Sequence, residues 1–327
     1  MRIETPARLH LGFLDLGGTL GRRFGGIGLS VRPLTTIVRA MPHAGLEVVG
    51  ECSERARRFV ETLLERLRLP PEIRVCIDTA IPPHTGLGSG TQLALATATA
   101  VARVFGCKPP AAELAQILGR GKRSGIGLGL FERGGLVVDG GHGAATSIPP
   151  VVSRLDFPEE WRAVLILDPG SAGLSGRAEI EAFRALKPMD AATAGHLCHV
   201  TLMGLLPAVA ERDFDAFSAA VGDIQGVVGD YFAAVQNGRY TSAPVREALK
   251  LCVREFGLKG VGQSSWGPTG FAFAESDDKA TALIDALNGA FNEAGTLTFR
   301  KCEPCNRGAI VSGTVEQRPR PRSISAY

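Results

Sequence analysis

The sequence lacks the features that would indicate a nucleic-acid-binding, membrane or secreted protein. The formal net charge is only +3 over 327 residues, which gives no argument for a polyanionic partner. No apolar run reaches the length of a membrane span, and the N-terminus does not show the pattern of a signal peptide. With 45% hydrophobic and 21% charged residues, the sequence predicts a globular cytoplasmic protein that binds neither membranes nor nucleic acids.

Cysteine is scarce and follows no pairing pattern. The chain has seven cysteines, an odd number that is scattered along the sequence, which favours reduced thiols over a disulfide framework. Cys302 and Cys305 form an isolated Cys-x-x-Cys. Because no second pair has metal-ligand spacing, two ordinary thiols near a strand end are favoured over a zinc site.

Glycine is abundant, and the most informative glycine-rich stretch lies between Ile81 and Gln92. The residues before it alternate in hydrophobicity, which predicts a strand, and residues 92–105 are mostly Ala, Leu, Val and Thr, which predicts a buried helix. A loop that leads into a helix N-terminus presents unpaired N–H groups and favours an anion. We therefore predict a phosphate or pyrophosphate cradle, and the alternative is a turn that only connects strand to helix. Its residues are Gly86, Leu87, Gly88, Ser89, Gly90 and Thr91.

The N-terminal segment predicts a strand followed by a second glycine-rich stretch. Alternation after Pro6 places Arg8 and His10 on the face opposite the apolar residues. Asp15 then leads into residues 17–29, which carry Arg22 and many glycines. This stretch predicts a flexible lid or anion site, and the alternative is a solvated hairpin tip.

Further helices are predicted by periodicity and capping residues. Residues 53–69 form an amphipathic pattern with Ser53 as the expected N-cap, and residues 213–235 carry one apolar stripe. Ser242 begins a later helix that Gly257 ends. We expect Gln225 to lie near a helix end, and residues 119–135 to form a glycine-rich basic loop.

A third glycine-rich loop covers residues 260–271 and precedes a strand, a helix from Asp277 and a final strand. Trp266 in this polar loop is predicted either to stack on an aromatic substrate or to fill an interface between lobes. The candidate binding residues of this loop are Gln263, Ser264, Ser265, Trp266 and Thr269.

The stretch that begins at Pro82 resembles the phosphate loop of the GHMP kinase superfamily, which reads Pro-x-x-x-Gly-Leu-Gly-Ser-Ser. The chain keeps Pro82 and the Gly-Leu-Gly-Ser run from Gly86, and then departs with Gly-Thr-Gln. It is not a Walker loop, because no Lys-Ser or Lys-Thr follows. The resemblance implies an α+β, GHMP-kinase-like two-lobed fold, with an N-terminal lobe of the ribosomal-protein-S5-like type and a ferredoxin-like C-terminal lobe. We place these lobes at residues 1–160 and 161–315, followed by a disordered tail at 316–327.

The sequence also departs from the kinases where their catalytic base is found. In mevalonate-type kinases a Ser-Gly-x-Asp loop supplies an aspartate, whereas here Ser124, Gly125 and Ile126 are followed by Gly127. A glycine accepts no proton, so kinase chemistry is disfavoured while the phosphate loop is retained.

Together, the altered first and last loops, His-Leu-Gly-Phe-Leu-Asp from His10 and Val-Val-Asp-Gly-Gly-His-Gly from Val137 resemble the family of the β-ribofuranosylaminobenzene 5′-phosphate synthases. The resemblance covers Pro6 to about Thr314. That family condenses phosphoribosyl pyrophosphate with 4-aminobenzoate, or with 4-hydroxybenzoate in some members, releasing CO2 and pyrophosphate in tetrahydromethanopterin biosynthesis. The resemblance further implies Mg2+ as cofactor and a homodimer.

On this resemblance we predict roles for single residues. Asp15, Arg22 and Arg123 are the candidate catalytic residues, and Asp15 and Ser89 are candidate metal ligands. Arg8 and His10 join the two loops as binding residues. Two alternatives remain open: an ATP-dependent small-molecule kinase of the same superfamily whose base comes from elsewhere, such as Asp139, and a non-catalytic protein that binds a phosphate ligand.

Overall fold

The computed structural model describes residues 1–171, 173, 176–236, 238–291 and 296–313. The predicted tail at 316–327 lies outside these residues. The strands are β1 Arg2–Asp15, β2 Arg22–Pro42, β3 Leu46–Gly50, β4 Ile73–Thr79, β5 Leu136–Asp139, β6 His142–Gly143, β7 Val151–Leu155, β8 Arg162–Leu167, β9 Val261–Gln263, β10 Gly270–Ala274, β11 Thr298–Pro304 and β12 Ile310–Ser312. The helices are α1 Ser53–Leu67, α2 Ser89–Val104, α3 Ala111–Ile117, α4 Ile126–Arg133, α5 Gly176–Ala185, α6 Ala191–Val200, α7 Leu206–Glu211, α8 Phe214–Gln236, α9 Ala243–Phe256 and α10 Asp277–Phe291.

Strand β2 connects most of the sheet. It pairs antiparallel with β1 along nearly its whole length, and also with β4, β5, β6 and β11. The strand order β12-β1-β2-β11-β8-β10-β9 therefore runs from the N-terminal to the C-terminal half without a break in hydrogen bonding. A bulge between His10 and Gly12 interrupts the β1–β2 register. Bulges change the direction of side chains and are frequent beside functional sites.

In the N-terminal half, α2 packs against β2 and β1, and α1 packs against α2 and β3. The inward side chains of α1 include Phe59, Val60 and Leu63, and α2 is buried on most sides. Because five of the 16 residues of α2 are alanines, all of them buried, the helix can approach its neighbours closely. The predicted strand, loop and buried helix are confirmed here.

The C-terminal half has an aromatic core under β8 and β10. The ring of Trp161 stacks on Phe217 of α8 with centroids 5.1 Å apart, and Phe217 meets Phe273 edge-on at 4.9 Å. On the other face of these strands, α9 and α10 form a separate core around Leu249 and Leu283. Helices and a mixed sheet in both halves confirm the predicted α+β class. The lobe boundary at 160/161 stays a prediction.

Several local expectations differ from the structure. The N-cap of α1 is Cys52 in a left-handed conformation, and Ser53 is the first helical residue. Gln225 lies in the middle of α8, not near its end. The stretch 119–135 contains the helix α4. For residues 17–29, the structure shows the hairpin tip that the sequence left as an alternative, and it continues into β2, which is buried from Gly25 onward.

Residues Ala191–Glu211 form one continuous helical segment, made of α6, a π-helical turn at Thr201–Leu205 and α7. Its mean hydropathy is 1.3, and among the described residues it is the helical segment with the length and composition of a membrane span. The sequence did not predict such a segment. Its inward residues Ala194, Leu197 and Val209 belong to the same core as β1 and α8. One face of the segment therefore packs into the core, and its outer face carries the exposed Leu202 and Met203.

The buried Ser242 hydroxyl connects α9 to the sheet, and its substitution measures what this connection contributes to stability. It accepts a hydrogen bond from the Val245 N–H and donates one to Asp168 at the end of β8, whereas Ser276 makes only the corresponding cap of α10, to Lys279. We expect Ser242→Ala to lower the free energy of unfolding by about 2 kcal/mol, because it loses both bonds. The control Ser276→Ala is expected to cost about 1 kcal/mol or less in the same urea titration. Equal losses would contradict the second role of Ser242.

Candidate active site

The predicted cradle, residues 86–91, forms the turn into α2. Gly86 and Gly88 have φ angles of +84° and +79°, a left-handed conformation that side chains rarely adopt, and Gly88 is the N-cap of α2. The Arg8 N–H donates to the carbonyl of Leu87 at 3.1 Å, which fixes the loop beside β1. No acidic residue lies in the first turn of α2. The helix N-terminus therefore keeps its full preference for an anion.

Three guanidinium groups surround this turn. The side chain of Arg8 lies where a Cβ on Gly88 would stand, with its Nε 2.7 Å from that position. Around Gly90, the Arg55 Nη2 and the Arg120 Nη1 are 2.4 Å and 3.6 Å from the corresponding position. Burial, followed by the charge of Arg55, lowers the pKa of Arg120. Arg8 and the basic loop 119–135, which contains Arg120, stand out in the sequence, whereas Arg55 looks there like one more charge on an amphipathic helix.

One buried hydroxyl connects the cradle to the last loop, residues 263–269. The Ser264 Oγ accepts a hydrogen bond from the His10 N–H at 3.0 Å and donates one to the Gly86 carbonyl at 2.9 Å. The backbones themselves are in contact, since a Cβ on Gly267 would stand 2.2 Å from the Thr85 carbonyl oxygen. The structure thus brings together Arg8, His10, the cradle and Ser264, and their roles as binding residues stay predictions.

Gln225 of α8 forms the other connection of the last loop. Its Nε2 donates to the Leu11 carbonyl at 2.7 Å, and its Oε1 accepts from the Gln263 N–H at 2.8 Å. Gln263 in turn accepts a hydrogen bond from the Thr241 N–H and donates one to the Ser265 carbonyl.

Ser265 has a left-handed φ of +57°, a strained conformation of the kind that clusters at ligand sites. Thr269 is buried beside this network and accepts from the Ser264 N–H through its carbonyl.

His10 is buried and electrically neutral. Burial, together with the positive charge of Arg8, lowers its pKa from 6.5 to about 3. Its Nε2 is buried without a hydrogen-bond partner among the described residues, beside a cavity of about 20 Å³. The cavity wall also includes Phe13, Phe232 and Gln225, and the space holds no more than one water molecule.

Trp266 lies within an aromatic cluster. It is 3% exposed, its ring stacks on Phe183 with centroids 4.3 Å apart, and Phe232 meets it edge-on at 4.7 Å. The Arg123 guanidinium lies 5.4 Å from the centroid of the Phe183 ring. This is the interface-filling arrangement of the two that the sequence left open. A substrate ring stacked on Trp266 would have to displace Phe183.

Asp15 and Arg22 lie at the β1–β2 hairpin tip. The Asp15 Oδ1 accepts from the N–H groups of Gly17 and Gly18, both at 2.7 Å, and so holds the turn. Arg22 donates to the carbonyls of Gly140 and Gly141, also at 2.7 Å each. These contacts position the tip and do not reach the cradle, so the catalytic roles of both residues stay predictions.

The two candidate magnesium ligands are far apart. Asp15 is seven residues beyond Arg8 on β1, which places it roughly 20 Å from the cradle and from Ser89. Among the described residues, no group of three or more His, Cys, Asp or Glu side chains has the geometry to hold a metal ion. A magnesium ion that is bound mainly by the phosphate oxygens of a substrate needs few protein ligands, and the Ser89 hydroxyl at the cradle fits that case.

The position of the kinase base is closed. A Cβ on Gly127 would stand 2.9 Å from the Thr91 Cγ2, and the Gly127 carbonyl accepts from the Gln92 amide at 2.9 Å.

Asp139 does not replace the base, because it is fully buried and its oxygens accept from Ser124, Gly125 and Gly141, all at 2.9 Å. Burial raises the pKa of Asp139, and its contacts hold the start of α4.

The cysteines are all free thiols, as the sequence predicted. Burial raises the pKa of Cys302 and of Cys252 to about 12, so both remain protonated and unreactive. The Cys305 thiol is also buried and contacts the Arg307 carbonyl. The Cys-x-x-Cys therefore belongs to the packing at the end of β11.

Comparison with known proteins agrees with this architecture. Models of the GHMP kinase N-terminal domain and C-terminal domain match residues 54–130 and 205–293. Among solved structures, mevalonate kinase from L. major in complex with R-mevalonate superposes with a TM-score of 0.70 at 14% identity, over 93% of this chain and 96% of that one. The GHMP-kinase-like two-lobed fold is thus confirmed.

Relatives with higher sequence identity to this chain are named as synthases and not as kinases. β-Ribofuranosylphenol 5′-phosphate synthase from Methanothermobacter thermautotrophicus is 34% identical over 307 residues, which cover 87% of this chain and 91% of the relative. The protein of the same name from Archaeoglobus fulgidus is 34% identical over 310 residues, covering 90% and 94%.

A side chain at position 127 would collide with Thr91, so we expect substitution of Gly127 to destabilise the protein. We expect Gly127→Asp to lower the free energy of unfolding by about 2 kcal/mol or more, since it forces a carboxylate against Thr91, and to produce no ATP-dependent phosphorylation. Thr91→Ser in the same background removes the clashing methyl group and should recover part of the loss. Gly195→Asp is the control, because nothing lies within 4 Å of its Cβ position. Equal destabilisation at positions 127 and 195 would contradict this packing.

The neutral state of His10 predicts a dependence of stability on pH. Because the folded pKa of about 3 lies below the ordinary 6.5, the unfolded chain takes up a proton first as the pH falls. Stability from His10 is therefore complete above pH 6.5 and is lost towards pH 3, by up to about 1.4 kcal/mol per pH unit. In urea titrations between pH 4 and 7, His10→Gln should show a shallower loss than wild type. Parallel curves would show that His10 titrates normally.

Proposed function

The chain belongs to the family of the β-ribofuranosylphenol 5′-phosphate synthases, and from this premise we propose that it is a phosphoribosyl transferase. It joins C1 of phosphoribosyl pyrophosphate to a ring carbon of a 4-substituted benzoate, with release of pyrophosphate and CO2. The product is a ribofuranosyl arene 5′-phosphate, an intermediate for tetrahydromethanopterin biosynthesis.

The observation that carries this proposal has two parts. Arginines surround the glycine-rich turn, and no carboxylate stands at the position that corresponds to the kinase base. The α2 N-terminus and the guanidiniums of Arg8, Arg55 and Arg120 converge on residues 86–91. Gly127, which the sequence resemblance aligns with the kinase aspartate, packs against Thr91, so that a side chain there would meet the Thr91 methyl group. A site of this kind binds and stabilises a departing pyrophosphate but has no group in place to deprotonate an alcohol.

The chemistry matches this arrangement. The bond from ribose C1 to pyrophosphate breaks, and the leaving group departs with the electron pair. The cradle N–H groups and the three guanidiniums stabilise the negative charge that develops on it. The ring carbon that bears the carboxylate forms the new bond to C1, and breaking of its bond to the carboxyl carbon returns an electron pair to the ring as CO2 leaves. No proton is removed from the ring carbon, so the missing base is not needed.

The relatives' name specifies a phenol, which makes 4-hydroxybenzoate the first arene to test and 4-aminobenzoate the second. The name favours a hydroxyl as the para substituent. The hydroxyl and the amino group are both neutral near pH 7, so charged side chains give no basis for choosing between the two arenes. The cavity beside His10 is too small for a ring in this structure. An arene site therefore requires movement of the last loop or of the aromatic cluster around Phe183.

Magnesium, a homodimer and a cytoplasmic location complete the proposal. When bound to pyrophosphate, magnesium would neutralise part of its charge, and Ser89 is the cradle side chain that would contact it. The absence of an aligned base favours the synthase over the small-molecule kinase. A phosphate-binding protein without activity remains the outcome to exclude by experiment.

The decisive measurement is CO2 release from carboxyl-labelled 4-hydroxybenzoate and 4-aminobenzoate, with phosphoribosyl pyrophosphate and magnesium. We expect release that depends on phosphoribosyl pyrophosphate, with one pyrophosphate formed per CO2. ATP in place of phosphoribosyl pyrophosphate is the control and should give no product. Absence of release from both arenes, with a folded sample that binds pyrophosphate, would reject the synthase and leave the binding protein.

A further inference from the structure

A second cationic site adjoins the cradle. A groove of about 420 Å³ runs along α1 towards the connection between α3 and α4. Arg55, Arg58 and Arg120 line it, with Phe59 and Leu118 as apolar wall residues. Its volume lies within the range of small-molecule sites.

The charges of this groove are not balanced by the protein. Among the described residues, none of its three arginines forms an ion pair, although the neighbouring Arg57 on the same helix pairs with Glu61 at 3.8 Å. The Arg120 Nε is buried without a hydrogen-bond partner in the described part of the chain. Its guanidinium lies 5.0 Å from the centroid of the Phe59 ring, which holds it over the groove.

The electrostatics favour an anionic ligand. Burial and the charge of Arg55 both lower the pKa of Arg120, so the two guanidiniums repel each other across a partly dry space. An anion between them would remove this repulsion and supply the missing hydrogen-bond acceptors. Arginine pairs with phosphate oxygens in two parallel hydrogen bonds, so a phosphate monoester suits such a cluster.

The groove and the cradle share two residues. Arg55 and Arg120 flank Gly90 of the cradle and also line the groove, whereas Arg58, one helical turn further along α1, belongs to the groove alone. A ligand with two phosphate groups on one sugar can therefore occupy both places. The apolar wall at Phe59 and Leu118 would face the carbon atoms of the sugar.

We propose that the groove lined by Arg55, Arg58 and Arg120 binds the 5-phosphate of the pentose substrate while the cradle binds its pyrophosphate. This inference rests on the proposed function for the identity of the substrate. Arg58 then acts as a specificity residue that distinguishes a phosphorylated from an unphosphorylated pentose donor.

The test uses ribose 5-phosphate and inorganic pyrophosphate as separate probes in titration calorimetry of the full-length protein. We expect Arg58→Gln to weaken binding of ribose 5-phosphate by roughly tenfold or more, because one charge-assisted contact is lost, and to leave pyrophosphate binding unchanged. Arg57→Gln is the matched control on the same helix and should leave both affinities unchanged. Thermal melting of each variant checks that the fold is retained.

Three results would overturn the proposal: no binding of ribose 5-phosphate to the wild-type protein, equal effects of the Arg57 and Arg58 variants, or a loss confined to pyrophosphate. In a turnover assay, Arg58→Gln should raise the KM for phosphoribosyl pyrophosphate with kcat little changed. Binding of ribose 5-phosphate that depends on Arg58, without CO2 release from either arene, would reject the proposed function and leave the phosphate site established.

Discussion

The arrangement of the site depends on one buried hydroxyl. Ser264 receives a hydrogen bond from the first strand, at His10, and gives one to the cradle, at Gly86. These groups are distant in sequence, and each would be an unpaired buried polar group without the other two, which is costly in a dry interior. The same contact brings the backbones of the two glycine-rich loops together, so the conformation of the cradle depends on the last loop as much as on its own residues.

The electrostatics of the site follow from what surrounds this junction. Arg8, Arg55 and Arg120 meet at the α2 N-terminus, where the first turn has no acidic residue to offset them. Gly127, which the sequence resemblance aligns with the kinase base, packs against Thr91. On the proposed function, the cationic turn stabilises a polyphosphate leaving group, and no carboxylate is required to activate an alcohol. A reaction in which the leaving group carries the charge and the nucleophile needs no deprotonation suits that balance.

The sequence predicted those parts of the molecule that depend on local pattern. The glycine-rich turn before α2, the buried α2 and the capping of α9 by Ser242 and Gly257 follow from periodicity, glycine positions and capping residues, and the structure confirms them. The role of the turn as a phosphate cradle stays a prediction. The glycine at position 127 was also informative, because glycine excludes a role as base.

Other features depend on tertiary contacts, which no local pattern records. Arg55 resembles any other charge on an amphipathic helix until α1 is packed beside the cradle. Gln225 lies in the middle of a helix, where an amide would be expected to face solvent, yet it connects β1 to the last loop. For Trp266 the sequence left open a substrate contact or an interface-filling role, and only the structure shows that aromatic residues of α5 and α8 cover it. The fold decides which of these side chains meet.

The long strand β2 has a consequence for how such a protein evolves. It pairs with β1, β4 and β5 of the first half and, at Val31 and Arg32, with β11 of the second half. A break in the chain near residue 160 would leave β11 without one of its partners and would split the sheet through its hydrogen bonds. The two halves therefore cannot be exchanged between proteins as independent modules. New activities on this scaffold should arise by local substitutions, as at Gly127 in α4 and Trp266 in the last loop, and not by recombination of lobes.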